Sequence, residues 1–161
     1  NPCKCGWYGD PSGRCQCSEA AVHAYQSRIS GPMLDRIDIV VEVTSVQYED
    51  LRTRAEGEPS SAIKQRVDDA RSIQNQRFGV SSGMCNARMG PGEMRTYCAL
   101  GEEAEALMKL AFESMGLTAR SYDRIIRVAR TVADLDGSPE IQAQHIAEAI
   151  QYRSVQIGNR G

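Results

Sequence analysis

The sequence contains no GxxxxGK[ST] stretch and no hydrophobic strand ending in paired acids, so it lacks the parts that cradle nucleotide phosphates and hold their magnesium. A chain without them is expected neither to bind ATP tightly nor to hydrolyse it by itself. No run of 18 apolar residues is present, which argues against a membrane-spanning helix. The opening Asn-Pro-Cys-Lys-Cys-Gly has the character of neither a signal nor a transit peptide, so a cytoplasmic protein is expected. The formal charge of −2 lacks the basic excess typical of a nucleic-acid-binding surface, so any contact with nucleic acid should be local or lie outside this chain. Histidine is scarce: His23 and His145 stand at ligand spacing neither to the cysteines nor to each other, and both read as structural or surface residues. There is no initiating Met and no internal repeat, and the abrupt start at a Cys-rich motif leads us to expect a piece of a longer protein.

What the chain does contain is ordinary globular material and one concentrated motif. Of its 161 residues 41% are hydrophobic and 25% charged, enough for a core of its own. Four of the 6 cysteines fall in the first 17 residues, as Cys3-x-Cys5 and Cys15-x-Cys17 with nine residues between the pairs. In extended chain, residues two apart project to the same side. Each pair therefore offers two sulfurs toward one point, and Gly6, Gly9, Pro11 and Gly13 supply the turns that let the pairs converge. Four thiolates suit a closed, structural tetrahedral zinc site. The spacing departs from the commoner Cys-x-x-Cys, and a pair of disulfides, an iron-sulfur cluster or free thiols remain the alternatives. Cys85 and Cys98 stand apart and read as small buried hydrophobes.

The rest is mainly helical. Residues 19–28 favour helix, with Ser18 as N-cap, and a Ser-Gly-Pro break follows at Ser30. Residues 37–46 are β-branched and predict a lone core strand, whose sheet partners must come from elsewhere. The segment 49–61, with Gly57 and Pro59, reads as a linker between a first region, 1–48, and a second, 62–161. In the second, a helix to about Phe78 carries Ile63, Val67, Ala70 and Ile73 or Gln74 on one stripe, a loop covers 79–92, and a turn or two follows over 93–99. Helices are then predicted over 101–115, 119–135 and 141–153, making a bundle of four or five.

Two stretches carry a more specific signal. Asn1-Pro2-Cys3-Lys4-Cys5-Gly6 followed by Arg28-Ile29-Ser30-Gly31-Pro32-Met33-Leu34-Asp35-Arg36-Ile37-Asp38-Ile39 resembles the magnesium-chelatase-like AAA+ ATPases of the ComM and YifB type. The runs 117–135 and 145–153 are similar to the helical lid of that family, so the resemblance covers almost the whole chain in order. It implies that 1–48 is the end of an AAA+ core and 62–161 the lid. It also implies a parent protein that binds ATP and Mg2+, assembles as a hexameric ring and moves on DNA, promoting branch migration in recombination of incoming strands. By that resemblance Asn1 matches the sensor-1 residue, Arg36 the arginine finger acting in trans on a neighbouring subunit's nucleotide, and Arg120 the sensor-2 residue.

Chemistry is consistent with these roles. Phosphoryl transfer spreads negative charge over the γ-phosphate oxygens, and a guanidinium brings a permanent charge with bidentate donors. Arg120 falls near the start of a helix capped by Thr118, where unpaired N–H groups already favour an anion. Arg36 can instead pair with Asp35 or Asp38, and Arg124, Arg127 and Arg130 read as surface or interface. Two other functions stay open: the ATPase subunit of a magnesium chelatase, where the Cys quartet is not expected, and a zinc-stabilised helical interaction module.

Overall fold

The computed structural model describes residues 1–41, 43, 46, 48, 52 and 57–154. The chain divides into two units, the first formed mainly by residues 1–55 and the second over Glu56–Arg153.

In the first unit the Cys loop runs into α1 (Glu19–Gln26), where the Ser18 hydroxyl accepts from the Ala21 N–H as the sequence predicts. A single turn, α2 (Gly31–Leu34), starts with Pro32 in its first turn, where a missing N–H costs nothing, and hands over at Asp35 to a turn at Arg36. The core strand expected over 37–46 is not formed by its described residues, 37–41, 43 and 46; 42, 44 and 45 lie outside them. Ile39, Val41, Val43 and Val46 are 52%, 62%, 86% and 64% exposed. The reason is physical: a strand is held by ladder hydrogen bonds and cross-strand pairs. Among the described residues the β pairing is confined to an isolated parallel bridge, Leu100 to Ile141, in the other unit.

The second unit holds five helices: α3 (Ser60–Phe78), α4 (Pro91–Tyr97), α5 (Glu102–Met115), α6 (Ala119–Leu135) and α7 (Ala143–Ser154). The predicted loop 79–92 contains two 3-10 turns, Val80–Ser82 and Asn86–Arg88. Helix α5 buries Ala104, Met108 and Ala111, one helical stripe, and ends at Gly116 with φ 59°, a left-handed conformation that a Cβ would oppose. Two residues later Thr118 caps α6, accepting from the Ser121 N–H. Helix α6 buries Ile125, Ile126, Ala129 and Ala133 at the centre of the core, joined by Met89, Ile141 and Ile146. Only part of the stripe expected on α3 is used: Ala70 and Gln74 are buried, while Ile63 and Val67 are about half exposed.

A buried ionic network joins α3, the Asn86 turn and α6. Asp134 accepts from four N–H groups: Arg77 Nη2 (2.6 Å) and Arg130 Nε (3.1 Å) on Oδ1, Arg77 Nη1 (2.9 Å) and Asn86 Nδ2 (2.7 Å) on Oδ2. Arg130 also donates to the carbonyls of Ser138 (2.7 Å) and Pro139 (2.9 Å), bracing the connection from α6 to α7. This corrects the surface reading of Arg130, which is 1% exposed. Arg127 is half-buried and likewise donates through Nε to the Met89 carbonyl at 3.1 Å. His145 is buried and structural: Nδ1 accepts from the Gln142 N–H (3.0 Å), leaving Nε2 to carry the proton toward Asp136 Oδ2 at 3.1 Å.

Candidate metal centre

The Cys3 carbonyl accepts from the Gly6 N–H at 3.1 Å, closing a tight turn that needs the φ of 87° at Gly6. That turn brings the Cys3 and Cys5 sulfurs to 3.3 Å. Beyond it the chain is folded by the Asp10 N–H to the Trp7 carbonyl and the Gly13 N–H to the Asp10 carbonyl, while Asp10 Oδ1 accepts from the Ser12 N–H at 2.8 Å. The second pair returns beside the first, with Cys15 Sγ 3.8 Å from Cys3 Sγ and 3.7 Å from Cys5 Sγ. Trp7 and Arg14 flank the two pairs, the guanidinium 4.9 Å from the centre of the indole ring. Helix α1 is tied to the start of the loop by Gln26 Nε2, which donates to the Pro2 carbonyl at 3.0 Å.

All four sulfurs lie within 4.8 Å of one another, in a group able to hold a metal ion. Tetrahedral coordination with metal–sulfur bonds of about 2.3 Å places sulfurs about 3.8 Å apart, so the separations to Cys15 already match and the Cys3–Cys5 contact need open only slightly. The six cysteines are free thiols. Cys3 is fully buried and Cys5 exposed, so the cluster sits at the surface with one ligand anchored inside.

The charges show what such a cluster lacks. Burial raises the Cys3 pKa, but hydrogen bonds from Cys5, the Tyr8 and Gly6 backbone and Cys15 outweigh it and bring it down to about 6. For Cys15, a backbone hydrogen bond at Cys17 favours the thiolate, yet burial and the neighbouring Cys5 and Cys3 sulfurs push it up to about 11. Cys17 is likewise raised: a backbone hydrogen bond at Cys5 favours its thiolate, but the Cys5 sulfur, burial and Cys3 win. The Cys3 thiolate forms readily and then disfavours ionisation of Cys15 and Cys17. A divalent cation at the centre removes that conflict.

The remaining site residues are placed separately. Asn1 is exposed beside Gly6, its Cγ 3.9 Å from where a Cβ would stand there. Arg36 is exposed, and its Nη1 donates to the Pro32 carbonyl at 2.7 Å, one turn back. Arg120 occupies the second position of α6 and is exposed, next to Ser121, whose hydroxyl meets both Thr118 Oγ1 (3.1 Å) and Arg153 Nη2 (3.2 Å). Asn1 and Arg36 belong to the first unit and Arg120 to the second. Cys98 is a buried thiol pushed up to about 11 by burial, against Met89 Sδ at 3.9 Å, whereas Cys85, expected to be buried, is half-buried. Sequence reasoning missed the Trp7–Arg14 stack, although the two residues stand just inside the cysteine pairs. A cleft between α4 and α6, lined among others by Met94, Cys98, Tyr122 and Ile126, holds none of the predicted residues. Among the described residues no helix is long and apolar enough to cross a membrane.

Comparison with known proteins places this geometry in a family. Residues 1–51 match the magnesium chelatase subunit ChlI, and residues 57–153 match the C-terminal region of that subunit. The chain is similar to the competence protein ComM of Haemophilus influenzae, 34% identical over 156 residues that make 96% of this chain and 30% of that protein. It is 35% identical, over the same lengths, to the uncharacterized protein YifB of Escherichia coli. An uncharacterized protein of Mycobacterium bovis is 31% identical over 153 residues, 95% of this chain. The chain thus spans about 30% of the length of the curated relatives it matches. With family matches over both units and relatives alike along nearly its whole length, the chain belongs to the magnesium-chelatase-like AAA+ ATPases of the ComM and YifB type.

Proposed function

We propose that this chain is the end of the ATPase core and the helical lid of a ring-forming AAA+ motor that remodels DNA. Zinc held by Cys3, Cys5, Cys15 and Cys17 braces the core segment, and a closed all-thiolate site of that kind is structural rather than catalytic. In the full-length parent, Asn1 orients the attacking water, Arg36 reaches the nucleotide of the neighbouring subunit, and Arg120 contacts the phosphates of bound ATP with its Mg2+. DNA is engaged through parts outside this chain, and the subunit partners itself in a hexamer.

The observation that carries the reading is the setting of Arg120. It stands exposed at the second position of a 17-residue helix, in the first turn, where unpaired backbone N–H groups favour an anion and a guanidinium adds a permanent positive charge. The likeness to a competence protein over 96% of the chain supports the reading. The family's phosphate-binding parts are not in this sequence, so the purified chain alone is expected to show no ATP turnover above blank.

The test is ATPase activity of the full-length parent with and without branched DNA. Arg36→Ala should lower kcat by on the order of 10³ while nucleotide still binds, the scale of an arginine finger. Arg120→Ala should weaken nucleotide binding as well. Full activity in Arg36→Ala would remove the finger assignment. ATPase activity indifferent to DNA would leave the motor standing and move its substrate to a protein partner.

A further inference from the structure

We infer that Trp7 and Arg14 form a clasp that brings the two cysteine pairs together before the metal arrives, an inference that rests on the metal reading of the cluster. Nine residues separate Cys5 from Cys15, and closing such a loop costs conformational entropy that an ion would otherwise have to offset. Trp7 is two residues after Cys5 and Arg14 immediately before Cys15, so a contact between them closes the loop at its neck. The Arg14 guanidinium lies 4.9 Å from the Trp7 ring centre, inside the range of a cation–π contact. The turns within the loop, at Trp7–Asp10 and Asp10–Gly13, are local and fold the intervening chain back on itself. The stack ties their two ends. Trp7 is half-buried and is the chain's single tryptophan, the aromatic residue that holds a cation best.

Two roles of Arg14 must be told apart. As a clasp it acts through Trp7; as a bare positive charge it offsets the thiolates directly and needs no ring. The clasp therefore predicts that removing the ring does as much damage as removing the cation.

The experiment follows zinc release from the reduced 161-residue chain to excess chromophoric chelator, together with zinc affinity by competition. Arg14→Ala and Trp7→Leu should each speed release, and weaken binding, by about two- to fivefold. The double variant should be no worse than either single one, because both remove the same contact. Arg14→Lys, which keeps the charge but loses the flat guanidinium, should fall between parent and Arg14→Ala. Circular dichroism of the helical unit serves as the folding control. A parent chain with one bound zinc, whose Trp7→Leu variant releases it at the parent rate, overturns the clasp and leaves the metal site intact. Effects of the two single variants that multiply in the double variant overturn it as well. A parent chain that binds no zinc in reducing buffer overturns the metal reading and the clasp with it.

Discussion

Replacing Asp134 by Asn isolates the energetic weight of the buried network. The amide has nearly the shape of the carboxylate, so no cavity opens, but two guanidiniums lose their counter-charge. Their side chains are 2% exposed for Arg130 and 11% for Arg77, so water cannot take over. Removing one partner of a buried pair costs about 3–5 kcal/mol. Arg130 keeps its bonds to the Ser138 and Pro139 carbonyls, and Arg77 keeps Asn86 Oδ1 at 2.8 Å, which argues for the lower end. A loss of about 3 kcal/mol is a large share of the 5–15 kcal/mol that holds an ordinary domain. For a unit of this size it lowers Tm by roughly 12–24 °C. Urea and thermal unfolding followed by far-UV circular dichroism measure both. The triple variant Arg77→Met, Arg130→Met, Asp134→Leu should recover most of the loss, because it orphans no charge. A loss below about 1 kcal/mol in Asp134→Asn would refute the reasoning.

Two further outcomes concern the Cys loop. Among the described residues of the first unit only Cys3 and Val22 are buried, so chelation in reducing buffer should expose the Arg14 peptide bond to trypsin while the melting of α3 to α7 stays unchanged; a lowered melting midpoint of α3 to α7 on chelation would show that the units depend on one another. Metal loading should also release protons: Cys15, raised to about 11, and Cys17, also raised, are protonated at neutral pH without metal and must ionise to bind it. Zinc affinity should then rise with pH by at least about 100-fold per unit between pH 6 and 8, and more steeply below about 6 where Cys3 is protonated too. A flat dependence would show that fewer thiolates hold the ion.

Much of this was legible in the sequence because it is local. Ser18 and Thr118 announce helix starts. The Cys loop was legible because its ligands lie within 17 residues and its glycines mark the turns. Features built from distant positions were not. Arg77 meets Asp134 across 57 residues, and an arginine at the i−4 position, Arg130, looks the same in sequence whether the pair is solvated or sealed. The predicted strand failed for the complementary reason: Ile39, Val41 and Val43 carry the right propensity, but propensity does not form a ladder without a neighbour. Trp7 and Arg14 needed the loop's path to be known before their stack meant anything.

The position of the single tryptophan bears on how any unfolding curve of this chain is to be interpreted. Trp7 lies in the Cys loop, while five of the helices lie in the other unit. Intrinsic fluorescence therefore follows the state of a thiol cluster, and circular dichroism follows a helical bundle. Disagreement between two probes is ordinarily taken as a sign of an intermediate. Here the two probes sit in different units, so midpoints that disagree are expected to report two units rather than an intermediate of one.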